Sequence, residues 1–248
     1  EDLEPSLVTS TALVNLGMIS RLRERYREAE PLLRAGYGMA LDLFGREHPT
    51  VLEAAEQLGV ALAALGRYRE AETLLAGNLD IAVATLGEAH PQTRGAREAL
   101  ATVDHDLGRF ALAAARQDSV VAAKAEARGG DHPGVVYSLV NAGDAWLDRA
   151  SALSDASAAS PTAARAAGPA AHATADPAAD TAEARYRAAL EMGARLGGNE
   201  GVYGMLARHG LARAALLRGE PTLADSLLDV AIGIGAEELR PDHRYILD

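Results

Sequence analysis

A single interval of 42 residues organises the first half of this 248-residue chain. His48, His90 and His132 follow one another at that interval, and each of them is followed by proline. Three more columns keep the same spacing, and they comprise Tyr26, Tyr68 and Phe110; Ala29, Ala71 and Ala113; and Gly45, Gly87 and Gly129. A fixed period of about 20 to 50 residues is typical of stacked supersecondary units. The sequence therefore predicts a repeat array built from copies of one unit.

Each period contains two amphipathic segments separated by a glycine. In the second copy, Val51, Leu58 and Leu62 lie on one stripe of a helix, because they are spaced by whole helical turns. Gly66 is suited to end that helix, and a second apolar stripe begins at Ala71. Hydrophobic residues form 48% of the chain but aromatic residues only 4%, which favours closely packed helices rich in alanine and leucine. The predicted fold class is all-α, and each unit is a hairpin of helix A and helix B.

The register of the repeat divides the chain into three segments. Residues 1–150 hold units 1 to 3 and helix A of unit 4, and residues 178–248 hold helix B of unit 4 and unit 5. Residues 151–177 are rich in alanine, serine and proline and have almost no large apolar side chains. Such a segment buries too little surface to order itself, so we expect a disordered insert. The columns agree, because Gly198 follows Gly129 by 69 residues, which is 42 plus 27.

The motif Gly-Arg-Tyr-x-Glu-Ala-Glu at residues 66–72 and the motif Leu-Gly-x-x-His-Pro at residues 86–91 closely resemble the kinesin-light-chain type of tetratricopeptide repeat. The resemblance covers nearly the whole chain apart from the insert. It implies a right-handed superhelical α-solenoid of about five hairpins, in which helix A residues line a concave groove that binds peptides. Repeats of this type occur in proteins with unrelated partners, so the resemblance does not imply a kinesin subunit.

By the same resemblance, a polar column in the middle of helix A faces the groove and can hold the backbone of a bound peptide. The matching residues are Asn15, Gln57 and Asn141. Ala99 and Gly210 occupy this column in units 3 and 5 and lack a polar side chain, so the column is incomplete. The alternative interpretation is a set of solvated helix residues that bind no ligand.

Helical geometry places several carboxylates on the strips of helix A beside that polar column. These residues are Glu53, Glu56, Glu98, Asp144 and Asp148. An acidic concave surface attracts cationic partners, so we expect the groove to bind a protein or peptide segment that carries lysine or arginine. The alternative is a solvated acidic face, which the formal net charge of −11 also predicts.

Composition and motifs disfavour several other classes of protein. An acidic chain is a poor match for nucleic acid or an anionic membrane surface, and no apolar run approaches the roughly 20 residues of a membrane span. The chain has no cysteine, and its repeated histidines lie a full unit apart, so we predict that they cap helices and bind no metal. No P-loop, nucleophile-elbow or zinc-protease motif is present. We therefore expect no cofactor and no enzymatic activity.

The predicted function is that of a cytoplasmic protein–protein interaction scaffold that captures a partner segment in its concave groove. The alternative is a structural or regulatory repeat segment of a larger multidomain protein, such as a signalling NTPase or a motor-associated complex. The start at Glu1 favours this alternative, because a chain that does not begin with Met is typical of a fragment or processed product. Trp146, the only tryptophan, is open to two interpretations, a core residue or an anchor for a ligand in the groove.

Overall fold

The structure is a computed structural model that describes residues 6–128, 130–159, 177–196 and 201–238. Within these ranges the chain forms ten α-helices and no β-strand. The helices are α1 (Leu7–Leu22), α2 (Tyr26–Phe44), α3 (Pro49–Ala64), α4 (Tyr68–Leu86), α5 (Pro91–Asp106), α6 (Phe110–Arg128), α7 (Pro133–Ala159), α8 (Pro177–Arg195), α9 (Val202–Leu217) and α10 (Pro221–Glu238). Helices A and B alternate along this series, from α1 and α2 to α9 and α10. The prediction of an all-α array of about five hairpins is therefore confirmed.

The histidine of each His-Pro pair starts a helix A. His48 precedes α3 in an extended conformation, and its Nδ1 accepts a hydrogen bond of 3.3 Å from the backbone N–H of Thr50. Pro49 occupies the first helical turn, where the missing N–H has no helical partner to lose. His90 caps α5 in the same way, and the hydroxyl of Ser6 caps α1. The prediction that the repeated histidines cap helices is confirmed at these positions.

A residue with a positive φ angle closes the turn between helix A and helix B. Gly66, Gly108 and Gly219 have φ angles of 76°, 72° and 74°, a region where a Cβ atom is strained. The first hairpin, α1 and α2, has Glu24 at this position, and its φ of 60° follows the same backbone path. The turn geometry is thus kept even where the sequence departs from glycine.

The chain divides into two compact units, and the division falls inside α6. From here on, the first unit is Glu1–Arg116 and the second unit is Gln117–Asp248. The core of the first unit consists of buried aliphatic side chains from helices A and B, which include Leu33, Leu58, Leu62, Leu75 and Leu100. The core of the second unit includes Val135, Leu139, Leu147, Tyr186 and Leu211. Each unit is therefore held together by burial of the apolar stripes that define the repeat.

The two helices of a hairpin approach closely at a glycine of helix A. Leu33 of α2 fills the space where a side chain at Gly17 of α1 would lie. Leu75 of α4 stands in the same relation to Gly59 of α3. Because glycine has no side chain, a leucine of helix B fits against it, and the two helix axes come close together without a void.

Helix α7 corrects the predicted start of the insert. It continues to Ala159, so residues 151–159, which we expected to be disordered, are helical. Alanine has the highest helix propensity, so an alanine-rich segment can extend a helix that packing has already nucleated. Helix α8 begins at Pro177, one residue before the predicted boundary. The rest of the insert, residues 160–176, lies outside the described residues.

Two glycine-to-alanine substitutions should have opposite effects on stability. Gly66→Ala places a Cβ atom at positive φ and should lower the free energy of unfolding by about 1 kcal/mol. Gly77→Ala lies inside α4 with open space around the new Cβ atom, and should raise it by about 0.5–1 kcal/mol. Urea denaturation of both variants beside the parent chain measures these changes, and a shift of the same sign in both would contradict the turn geometry.

Candidate functional site

Three carboxylates from neighbouring helices A lie close together in the first unit. Glu53 and Glu56 belong to α3 and Glu98 to α5, and both Glu53 and Glu98 act electrostatically on Glu56. The carboxylate of Glu56 occupies the space beside α5 where a side chain at Gly95 would project. The glycine therefore allows this carboxylate to lie against the next helix A. We call Glu53, Glu56 and Glu98 the acidic cluster.

The surroundings of Glu56 shift its proton affinity. Burial, together with repulsion from Glu53 and Glu98, raises the pKa of Glu56 from its ordinary value of 4.5 to about 7. Arg21 on α1 acts in the opposite direction. Near neutral pH this carboxyl is therefore only partly ionised, and a cation placed beside it would favour the ionised form.

The polar column does not form a uniform ladder of free side chains. Asn15 is exposed on α1, and Asn141 is half-buried on α7. Gln57 is half-buried on α3, and its Oε1 accepts a hydrogen bond of 3.0 Å from Nε of Arg21. Gly210 is buried on α9. In the first unit, the column thus brings a guanidinium group next to the acidic cluster.

The two acidic residues of the second unit are held by partners of that unit. Asp144 accepts a hydrogen bond of 2.7 Å from the hydroxyl of Tyr186, and Nη2 of Arg213 donates to Asp148 at 2.6 Å. A second nitrogen of Arg213 lies 3.5 Å from Asp144. Burial raises the pKa of Asp144, while the Tyr186 hydroxyl and the Arg213 charge oppose that rise. Arg213 therefore neutralises part of the acidic surface expected at Asp144 and Asp148.

Sequence reasoning gave no role to Tyr186, which the structure places at the centre of the second unit. Its ring fills the space where side chains at Gly143 of α7 and Gly210 of α9 would lie. Burial raises the pKa of Tyr186, so the hydroxyl stays protonated and donates to Asp144. The sequence contains a signal for this arrangement. Tyr186 occupies the helix B column of Leu33 and Leu75, and the helix A residues that face it, Gly143 and Gly210, are glycines.

Trp146 is fixed by contacts within the second unit. Its Nε1 donates a hydrogen bond of 2.9 Å to Asp118, and its ring packs against the cluster that includes Ala150. The guanidinium of Arg149 lies 4.9 Å from the ring centre. These contacts favour the interpretation of Trp146 as a packing residue.

The first unit also has a cleft beside its helices B, which was not predicted from the sequence. It lies between helices B α2 and α4 and has a volume of about 420 Å³. Its floor is apolar and is formed by residues of α3, which include Val51, Ala55 and Leu58. An ion pair of 2.7 Å between Arg34 and Glu70 lies at its rim. The sequence pattern predicts that these apolar residues of α3 are core residues. It does not predict that α2 and α4 leave a cleft over them.

In the part of the chain that the structure describes, no group of three or more His, Asp or Glu side chains is arranged to hold a metal ion. No helix among the described ranges is long and apolar enough to cross a membrane.

Helical hairpins repeated at one interval, with polar and acidic side chains on helix A, define a helical-repeat protein. The sequence profile of the tetratricopeptide repeat family matches residues 8–76 and 50–126. The tetratricopeptide repeats expected from the motifs are thereby confirmed over residues 8–126. Comparison with curated proteins gives no significant match.

Solved structures of such repeats share the fold. Crystal structures of kinesin light chain TPR-like repeats from Podosopora anserina, in two forms, are both 21% identical to this chain, with TM-scores of 0.71 and 0.73. The matches cover 93% and 96% of this chain and 96% and 98% of those chains. BtubC (BKLC) from P. vanneervenii is 16% identical, with a TM-score of 0.67 and coverage of 94% of this chain and 82% of that chain. The fold is that of tetratricopeptide scaffolds, which typically mediate protein–protein interactions without catalysis.

The raised pKa of Glu56 predicts a pH-dependent effect of Glu56→Gln. Because folding favours the protonated carboxyl, the free energy of unfolding of the parent falls as pH rises from about 4.5 through about 7. Glutamine lacks this cost, so the variant should be more stable than the parent by about 1–2 kcal/mol at pH 8 and by much less at pH 5. Urea denaturation at both pH values measures the gap, and an equal gap at the two would contradict the assignment. Asp42→Asn, which removes an exposed carboxylate of α2 outside the acidic cluster, is the charge-matched control.

The hydrogen bond from Tyr186 to Asp144 predicts a cost for removing one hydroxyl. Tyr186→Phe leaves a partly buried carboxylate with one donor fewer, and should lower the free energy of unfolding by about 1 kcal/mol. Tyr203→Phe removes an exposed hydroxyl in the same unit and should change stability by less than about 0.5 kcal/mol. Thermal or urea unfolding compares the two variants, and equal effects would argue against a stabilising role for this bond.

Proposed function

We propose that this chain is a non-enzymatic, cytoplasmic interaction scaffold whose first unit binds a lysine- or arginine-bearing protein segment at the acidic cluster. The observation that carries the proposal is the position of Glu56, half-buried between two other carboxylates. Among the described residues, no basic side chain forms an ion pair with Glu56. A cationic group from outside would add to the opposing charge of Arg21 and favour the ionised form of Glu56.

Partial burial of Glu56 makes the acidic cluster favourable for a cation. A half-buried carboxylate beside two others is costly to ionise, and the cost appears as the raised pKa of Glu56. An ammonium or guanidinium group lying between Glu53, Glu56 and Glu98 would remove the repulsion and gain charge-assisted hydrogen bonds. The interaction would strengthen further because the surroundings of Glu56 are partly shielded from water.

The second unit offers an internal example of such binding. There, the guanidinium of Arg213 on α9 forms ion pairs with two carboxylates of α7, Asp144 and Asp148. The proposal therefore assigns recognition of an external cation to the acidic cluster of the first unit. Asn15 and Gln57 of the first unit remain proposed contacts for the backbone of this bound segment, and Asn141 remains a proposed backbone contact for a segment bound by the second unit.

Peptide binding tests this proposal directly. Fluorescence anisotropy should show that a lysine- and arginine-rich peptide binds the parent chain, while an acidic peptide of equal length does not. Binding should weaken with added salt and strengthen from pH 6 to pH 8, because Glu56 becomes ionised over that range. The variant Glu53→Lys/Glu98→Lys should bind the basic peptide about tenfold or more weakly, because like charges replace opposite charges.

A charge-matched control separates the site from the net charge of the chain. Asp42 and Asp80 are exposed acidic residues of helices B α2 and α4 in the same unit. Asp42→Lys/Asp80→Lys changes the net charge by the same amount and should leave affinity close to that of the parent. Equal losses in both double variants would mean that the chain attracts basic peptides only through its overall charge, and would overturn the proposed site.

A further inference from the structure

The cleft between α2 and α4 of the first unit lies beside a glycine of α4. Gly77 lines the cleft, and a Cβ atom at this position would meet no other atom within 4 Å. The other helices B carry a side chain in the same column, which holds Ala35, Ser119, Ala188 and Val230. The open space beside Gly77 thus has a cause in the sequence that no other helix B shares.

The cleft is long and its walls are largely apolar. Its lining follows α4 from Glu70 to Ile81, and a rise of 11 residues corresponds to about 16 Å of helix. The floor side chains of α3 are buried, whereas Tyr37, Leu74 and Ile81 on the walls are only half-buried. The volume of about 420 Å³ is typical of sites that bind small molecules. A ligand in this cleft would therefore gain apolar contacts mainly with the walls.

The two ends of the cleft differ in charge. At one end, Arg34 and Glu70 form an ion pair at 2.7 Å and neutralise each other. Arg46 lines the other end, where α2 has ended and α3 is about to begin. Among the described residues, none forms an ion pair or a side-chain hydrogen bond with Arg46. This exposed guanidinium is therefore available to an anionic group at one end of an apolar cleft.

Other polar groups of the lining are bound within the protein. The hydroxyl of Thr73 donates to the carbonyl of Arg69 at 2.9 Å, and Nδ2 of Asn78 donates to the carbonyl of Leu52 at 3.0 Å. The Oδ1 atom of Asn78 is buried and has no hydrogen-bond partner in the described part of the chain. A peptide backbone carries an N–H and a C=O at each residue and would find few partners here. An aliphatic chain has no such requirement, so the lining favours it over a peptide.

We propose that this cleft binds a linear aliphatic carboxylate, with its chain along α4 and its carboxylate on Arg46. The half-buried walls contact the chain, and the guanidinium forms charge-assisted hydrogen bonds with the carboxylate. A ligand of this kind uses both the length of the cleft and the charge at one of its ends. The cleft lies beside helices B and is separate from the acidic cluster on helices A, so the inference is independent of peptide binding there.

Isothermal titration calorimetry with decanoate, below its micelle-forming concentration, tests the ligand class. Decanoate should bind the full chain, whereas butyrate, which lacks most of the aliphatic chain, should give no detectable heat of binding. Decyltrimethylammonium has the same chain with the opposite charge and should bind about tenfold or more weakly. The net charge of −11 favours the cation, so a preference for decanoate cannot come from the overall charge. Absence of decanoate binding, or equal affinity for both ligands, would overturn the proposal.

Two substitutions with matched controls locate the bound decanoate. Gly77→Leu fills the cleft and should weaken binding about tenfold or more, while leucine remains a good helix former. Gly38→Leu is its control, because Gly38 on α2 also has open space around it but lies outside the lining. Arg46→Gln should weaken decanoate binding by a similar factor, and Arg23→Gln, which removes another exposed arginine of the first unit, should not.

Circular dichroism confirms that each of these variants remains helical. Decanoate binding to Gly77→Leu as tight as that to the parent would place the ligand outside the cleft and overturn the proposal. Equal losses in Arg46→Gln and Arg23→Gln would mean that affinity follows overall charge, and would overturn the role of Arg46.

Discussion

The close packing of helix B against glycine positions of helix A is the constraint on which the rest of each unit depends. Leu33 over Gly17 and Leu75 over Gly59 set the distance between the helices of a hairpin. Any side chain at these glycines would meet a leucine branch, so the register of the two helices has little freedom. The positions of the remaining side chains, polar as well as apolar, follow from that register.

This packing also explains why carboxylates on helix A become partly buried. Helices A of successive hairpins lie side by side, so a glutamate that faces the neighbouring helix loses part of its contact with water. Two solutions occur in this chain. In the second unit, Arg213 and Tyr186 satisfy Asp144 and Asp148, whereas in the first unit Glu56 remains between like charges and its pKa rises. The arrangement around Glu56 is the basis of the proposed cation site.

Much of the fold could be predicted because its determinants are local and repeated. The caps of helix A follow from the His-Pro pair, and the turns follow from a glycine at positive φ, as Gly66 and Gly108 show. The start of the insert could not be placed in this way. Residues 151–159 lack large apolar side chains, yet they continue α7, because helix propensity and the preceding packed turns decide where that helix ends.

The sequence alone determined the repeat interval, the two helices of each hairpin, and the residue types at each column, because these depend on spacing and on local backbone preference. Only the tertiary structure decided which carboxylates are satisfied. Asp144 and Glu56 look alike in the sequence, but a carboxylate's partner comes from a distant helix, such as Arg213 on α9.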